Sequence, residues 1–187
     1  HARHIAGRLE NGVTIHNFYV PAGGDVPDRE VNVRTLNVRP RVFELVDFLS
    51  VGSNDLTQYL LAVDRNNPRV ADLYNSFHPS VLRALLSIVD QVRDEGVGLS
   101  VCGEMAGDPM GAILLMAMGY DVLSMSSTSL PKVKAVIRNI SMQQAQAMLN
   151  EVMTLSHAEA VTQTMTRLMR EANIERLIRP SKTSNVD

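Results

Sequence analysis

Three times between residues 48 and 138 a short apolar run is followed by a loop of small polar residues and then by a segment with helical spacing of its apolar positions. Such a rhythm is what a parallel sheet requires, because parallel neighbours must be joined by a long crossover, and the crossover is usually a helix. The runs are "FLSV" (48–51), "LSVC" (99–102) and "DVLSMS" (121–126). The first passes through Gly52-Ser53 into the short helical stretch "DLTQYLLAV". A longer helix then begins near His78-Pro79 and repeats Val81, Leu85, Ile88 and Val92 on one stripe until Gly96. The second passes through "GEMAG" to Asp108, a capping residue with Pro109 at the first helical position, and that helix stops at Gly119. The third passes through "STS", whose hydroxyls suit a cap, into a helix over 130–138 with Val133, Val136 and Ile137 inward. The expected class is α/β, with three βα units and no internal sequence repeat.

Beyond residue 141 the strands cease and two amphipathic helices follow, the first with Ala145, Met148, Leu149 and Val152 on one face. Ser156 and Glu159 have the spacing of a capping box for the second. His78 reads as a helix-start residue and His157 as a first-turn residue, and the ten Met residues read as core filler rather than a ligand surface. Residues 1–34 depart from the rhythm, since "GVTIHNFYV" alternates like a strand and "PAGGDVPDRE" is rich in turn formers. The expected division is therefore 1–34, a strand and turn of separate character; 35–140, the βα units; and 141–187, helices with a polar, fraying tail.

Composition narrows the function. A net charge of -2 gives no positive field for a nucleic-acid backbone, and 4% aromatics with no Trp make a base-stacking surface unexpected. One cysteine forms no internal disulfide, so Cys102 is expected to be a free thiol in a reducing, cytoplasmic setting. The longest apolar run, "AILLMAM", is far short of the roughly 20 residues that cross a bilayer, so no membrane segment is expected. A chain opening "HARH" rather than with Met reads as a fragment or a processed product.

In a βα barrel the chemistry gathers at the C-terminal ends of the strands. After the first run stand Ser53, Asn54 and Asp55, with Arg65 ten residues past Asp55. Asn54 offers an amide donor, Asp55 a hard oxygen suited to magnesium, and Arg65 a planar donor fork for phosphate or carboxylate. The plainer alternative is that Asn54 and Asp55 cap a helix and that Arg65 is solvated. The second run ends on Cys102 and a Gly-Glu turn, so two neighbouring strand ends bring an amide, an acid and a thiol to one rim.

The segments "SVGSNDLTQYLLAVDR" and "CGEMAGDP" resemble the two signature blocks of the phosphoenolpyruvate-binding barrel of enzyme I, the phosphoenolpyruvate-protein phosphotransferase of the bacterial phosphotransferase system. Residues from about 43 to 140 are similar to its last three βα units, and the helices to about 179 fit its C-terminal end. The run "DRNNPRVADLYNSFHPSVLRAL" is most similar to the nitrogen-related paralogue. The resemblance implies the end of a (βα)8 TIM-type barrel, Asp55 as a magnesium ligand, Asn54 and Arg65 as phosphate-binding residues, and Cys102 as the acid-base group at the methylene carbon. It further implies a histidine-phosphorylatable carrier protein as partner, reached through an N-terminal phosphohistidine domain, and a homodimer.

The chain departs from that pattern in lacking the family's second metal-binding acid, in a Met-x-Glu-x-Pro strand, two upstream arginines and the phosphohistidine motif. Three strands of eight cannot close a barrel and leave edges beside an exposed apolar face. This favours a partial phosphotransferase domain that is inactive alone, the alternative being a non-catalytic dimerisation or regulatory module. Residues 8–30, "RLENGVTIHNFYVPAGGDVPDRE", resemble a strand and turn of the exonuclease III family, with Tyr19 matching a tyrosine near the scissile phosphate. The family's metal-binding acids and catalytic histidine region have no counterpart, so no nuclease activity is expected.

Overall fold

A computed structural model describes residues 48–177 throughout and, for 3–8 and 14–19, the strand backbone. The expected boundary near residue 34 and the tail beyond 179 lie outside the described residues, as does the side chain of Tyr19. Strands β1 (Arg3–Arg8) and β2 (Thr14–Tyr19) pair antiparallel, with Arg3 opposite Tyr19 and Arg8 opposite Thr14. The alternation in "GVTIHNFYV" anticipates β2, whereas β1 carries no comparable signal.

The three βα units form as expected. Strands β3 (Phe48–Gly52), β4 (Gly98–Cys102) and β5 (Val122–Ser124) make a parallel sheet in the order β3-β4-β5. β5 is shorter than the six-residue run in the sequence. Asp121 leaves the ladder to grip β4 instead, its amide donating to the Leu99 carbonyl (2.9 Å) and its carboxylate accepting from the Leu99 amide (2.8 Å).

Helices α1 (Ser53–Leu61) and α2 (Pro79–Val92) follow β3; the one-turn α3 (Glu104–Gly107) and α4 (Pro109–Met118) follow β4; α5 (Leu130–Ile137) follows β5. α6 (Met142–Met153) and α7 (Ala158–Glu171) complete the described fold. The α2 stripe is buried as the periodicity predicts, and His78 caps that helix through Nδ1, which accepts from the Ser80 amide (3.2 Å). Asp108 caps α4 by accepting from Met110 and Gly111 amides (2.8 and 3.1 Å).

α4 is apolar on every side, and seven of its ten residues are buried, which makes it the centre of the molecule rather than a surface helix. It packs against α2, α5 and α6. Gly111 sets the closeness of α3 and α4: a Cβ there would lie 2.2 Å from the Met105 carbonyl oxygen. α6 presents Ala145, Met148, Leu149 and Val152 to this centre, and α7 presents Val161, Met165 and Met169, so five methionines including Met105 and Met118 fill the core.

Three local expectations need correction. α7 starts with His157 as its N-cap and without a side-chain cap, which places Glu159 at the second rather than the third helical position, out of reach of a box with Ser156. The box forms instead at α6, between Ser141 and Gln144. The "STS" hydroxyls do not cap α5; Ser126 bonds both Thr128 (3.0 Å) and Ser129 (3.2 Å), and Ile137 is only half-buried.

The two faces of the sheet differ. Leu49, Val51, Leu99, Val101 and Leu123 join the core under the helices. The alternate residues Phe48, Ser50, Gly52, Cys102, Val122 and Ser124 are exposed. Phe48 keeps 46% and Val122 56% of its surface in water. No helix among the described residues is long and apolar enough to cross a membrane.

Candidate functional site

The parallel register sets Gly52, Cys102 and Ser124 side by side at the C-terminal ends of the three strands. The loops that leave these ends surround an open cleft of about 630 Å³. Each strand end contributes to its wall: Asn54 from the first; Cys102, Gly103 and Glu104 from the second; Ser124, Ser126, Thr128 and Lys132 from the third.

The first two ends are fastened to each other by hydrogen bonds. Buried Ser53 donates its hydroxyl to the Cys102 carbonyl (2.9 Å). The side-chain oxygen of Asn54 accepts from the Glu104 amide (3.1 Å) and from the Tyr74 hydroxyl (3.4 Å). Because the oxygen is occupied twice, the NH2 group is the part of Asn54 left to a ligand. Gly103 makes this approach possible: it sits at φ 129°, and a Cβ there would come within 2.3 Å of Ser53 Oγ and 2.9 Å of Asn54 Oδ1. The alternative in which Asn54 and Asp55 merely cap α1 is not observed, since that helix has no side-chain cap.

Cys102 is an exposed free thiol in the cleft, not a buried inert one. Arg65 is not among the residues lining the cleft, but its Nη1 donates to Glu104 Oε1 (3.2 Å), so it is held beside the second strand end rather than freely solvated. Asp55 is exposed and outside the lining; one carboxylate oxygen would be 3.9 Å from a Cβ at Gly52, the residue paired with Cys102. The structure thus brings Asn54 and Cys102 into one cavity, ties Arg65 to its edge through Glu104, and leaves Asp55 at the adjoining end of β3.

No group of three or more His, Cys, Asp and Glu that could hold a metal occurs among the described residues. A magnesium ion commonly takes one or two carboxylates and completes its shell with water and ligand phosphate. Asp55 fits the smallest version of that arrangement.

Sequence reasoning missed three contributors: Tyr74, which acts through a hydrogen bond; Glu104, in the quoted turn but given no role; and the third wall. Ser53 was expected at the strand end, but not its hydrogen bond to the second strand. For the third wall a signal existed, in the hydroxyl-rich "SMSSTSLPK" directly after a strand.

Residues 30–142, more than half of the chain, match the family described as PEP-utilising enzyme, PEP-binding domain. The chain belongs to this family of phosphoenolpyruvate-utilising enzymes. Among curated relatives of this family member, a Salmonella typhimurium protein named phosphoenolpyruvate-dependent phosphotransferase system is 44% identical over 140 residues, 75% of this chain and 19% of the relative. The Haemophilus influenzae phosphoenolpyruvate-protein phosphotransferase is 36% identical over 167 residues, 89% of this chain and 28% of the relative. Multiphosphoryl transfer protein 1 of Escherichia coli is 40% identical over 133 residues, 71% of this chain and 16% of the relative. The resemblance to phosphotransferases in the signature blocks is thereby borne out, and the family is one of transferase enzymes. The chain spans between 16% and 28% of the length of these relatives.

Proposed function

We propose that residues 35–140 are the final three βα units of a (βα)8 TIM-type barrel that binds phosphoenolpyruvate, with 141–187 as its C-terminal helical end and 1–34 as a segment of separate character. The bare face of the sheet supports this reading: in a closed barrel those alternate residues fill the interior, and here Phe48 and Val122 each keep about half of their surface exposed. The remaining strands would come from the rest of a longer phosphotransferase, of the nitrogen-related branch on the strength of residues 64–85. Its setting is cytoplasmic, and a homodimer would form through this region.

The observation that carries the functional reading is that Asn54 and Cys102, from neighbouring strand ends, line one cleft. The Asn54 NH2 and the Arg65 guanidinium would grip the phosphate, with Arg65 exchanging its Glu104 contact for the ligand. Asp55 would hold magnesium, which when bound supplies positive charge against the phosphate oxygens. Phosphoryl transfer gains mainly from such positioning and charge neutralisation. Once the phosphoryl group has left for a protein histidine, the enolate of pyruvate remains; the Cys102 thiol would give its proton to the methylene carbon, and the thiolate would take it back in reverse. The histidine resides on another domain of the whole enzyme and passes the group to a carrier protein.

The test is calorimetric titration of this chain with phosphoenolpyruvate and magnesium, alongside Asn54→Ala and Arg65→Ala. Binding that weakens at least ten-fold in both variants supports the reading. Absence of binding, or heat unchanged by both substitutions, removes it.

A further inference from the structure

Glu104 meets both Asn54 and Arg65, and with different parts of itself. Its backbone amide donates to Asn54 Oδ1 (3.1 Å), while its carboxylate accepts from Arg65 Nη1 (3.2 Å). The backbone is fixed by its surroundings: Gly103 before it sits at φ 129° against Ser53 and Asn54, and α3 begins at Glu104 itself. The side chain is not packed, since it keeps 73% of its surface in water against 37% for Arg65. The other ion pairs among the described residues, Arg93 with Asp90 and those of Arg167 and Arg170, lie at α2 or among the C-terminal helices. The Arg65–Glu104 pair instead spans two strand ends: an exposed anion on a rigid pivot holds the guanidinium at the edge of the cleft.

We infer that the Glu104 carboxylate is a built-in competitor for Arg65, an autoinhibitory contact that an incoming anion must break before the guanidinium can hold it. This rests on the proposed phosphoenolpyruvate site and adds a regulation of it. Carboxylate and phosphate oxygens are the same kind of acceptor for a guanidinium fork, so ligand and Glu104 compete for one set of donors. While Arg65 is paired, only a fraction of the molecules is ready for an anion, and the apparent affinity falls by that fraction. An ion pair as exposed as this one is weak, so the contact is displaced rather than permanent. The bond to Asn54 survives the exchange, because it uses the backbone amide and not the carboxylate. Once the phosphoryl group has left, Arg65 has lost its anion and Glu104 takes the guanidinium back.

The test compares wild type with Glu104→Gln, which keeps the shape and removes the charge, by two readouts. Without ligand, phenylglyoxal modification of Arg65, followed by mass spectrometry, is expected to run faster in the variant, with exposed Arg69 as the internal reference. With ligand, the readout is the concentration that half-protects Cys102 from iodoacetamide, with phosphoenolpyruvate plus magnesium and inorganic phosphate as separate probes. It is expected to fall about two- to six-fold for both probes in Glu104→Gln, the range that an exposed ion pair can impose. In an Arg65→Ala background the same substitution is expected to gain less than about two-fold. Protection in wild type that is unchanged or weakened in Glu104→Gln overturns the inference while leaving the binding site intact. A gain as large without Arg65 as with it also overturns it, since loss of a repelling charge rather than release of Arg65 would then be the cause. Arg65 modified at the wild-type rate in Glu104→Gln overturns it with no ligand involved. A wild-type chain that neither probe protects removes the site and the inference together. Circular dichroism of the variants checks that the exposed substitution leaves the fold in place.

Discussion

The sheet has one face sealed by helices and one face bare, and the two follow different rules. On the sealed face Leu99 and Val101 keep 3% and 0% of their surface, and the helices that cover them meet around α4. That face is held by area removed from water, at about 1.5–3 kcal/mol for each large side chain fully buried. On the bare face the residues one position along each strand are Phe48, Ser50, Ser100 and Val122, and little apolar area is removed there. What orders its C-terminal end is a set of hydrogen bonds among Ser53, Asn54, Tyr74, Cys102 and Glu104. Stability and chemistry thus reside on opposite sides of the same three strands, which lets the site stay open to ligand without loss of the core.

The comparison breaks first, and hardest, on the sealed face. Leu114→Ala, at a position with no exposed surface, is expected to cost about 3 kcal/mol through the lost transfer energy and the cavity left in α4's surroundings, read by urea denaturation. A cost below about 1 kcal/mol would mean that the helical core is loosely packed. Gly103→Ala comes next, with about 2–3 kcal/mol expected from a backbone conformation reserved for glycine and from the collision with Ser53 Oγ. Unlike the core change, it should also loosen the rim and abolish ligand protection of Cys102.

Tyr120 sharpens the contrast through pH. Its phenol is buried, donates to the Leu85 carbonyl (3.2 Å), and has its pKa pushed well above the ordinary value by desolvation. A raised folded-state pKa favours the neutral form, so its contribution is complete below the unfolded value of about 10 and is lost as pH rises above it through the folded value. Thermal unfolding between pH 9 and 11 should therefore show alkaline destabilisation that Tyr120→Phe lessens, with about 1 kcal/mol lost at neutral pH. A variant with the same alkaline slope as wild type would relocate the effect. The smallest change belongs to the bare face: Phe48→Ser should alter stability by less than about 1 kcal/mol and reduce self-association in sedimentation velocity, since 46% of Phe48 is already in water. A large loss of stability would show that this face is packed after all.

The parts legible in the sequence are those with short-range causes. The stripe Val81, Leu85, Ile88 and Val92, the Asp108-Pro109 helix start and the face Ala145, Met148, Leu149 and Val152 all follow from spacing, because a helix repeats its environment every few residues. Cys102 and Asn54 were readable as rim residues because a parallel strand ends where its small-residue loop begins. The rest depends on partners far apart in the chain. Asn54 and Glu104 are fifty residues apart, and no local pattern states that the amide oxygen is spent on a backbone N–H or that Tyr74 shares it. The capping box was misplaced because Ser156 and Glu159 have the right spacing while the helix begins one residue too late to use it.

The central claim is that separate strand ends act as one site for one small anion. A crystal structure of this chain grown with phosphoenolpyruvate and magnesium tests it most directly. The account predicts density for the three-carbon acid in the cleft, with its phosphate on the Asn54 NH2 and its methylene facing the Cys102 sulfur. A ligand bound elsewhere on the molecule, with only solvent between Asn54 and Cys102, would contradict it.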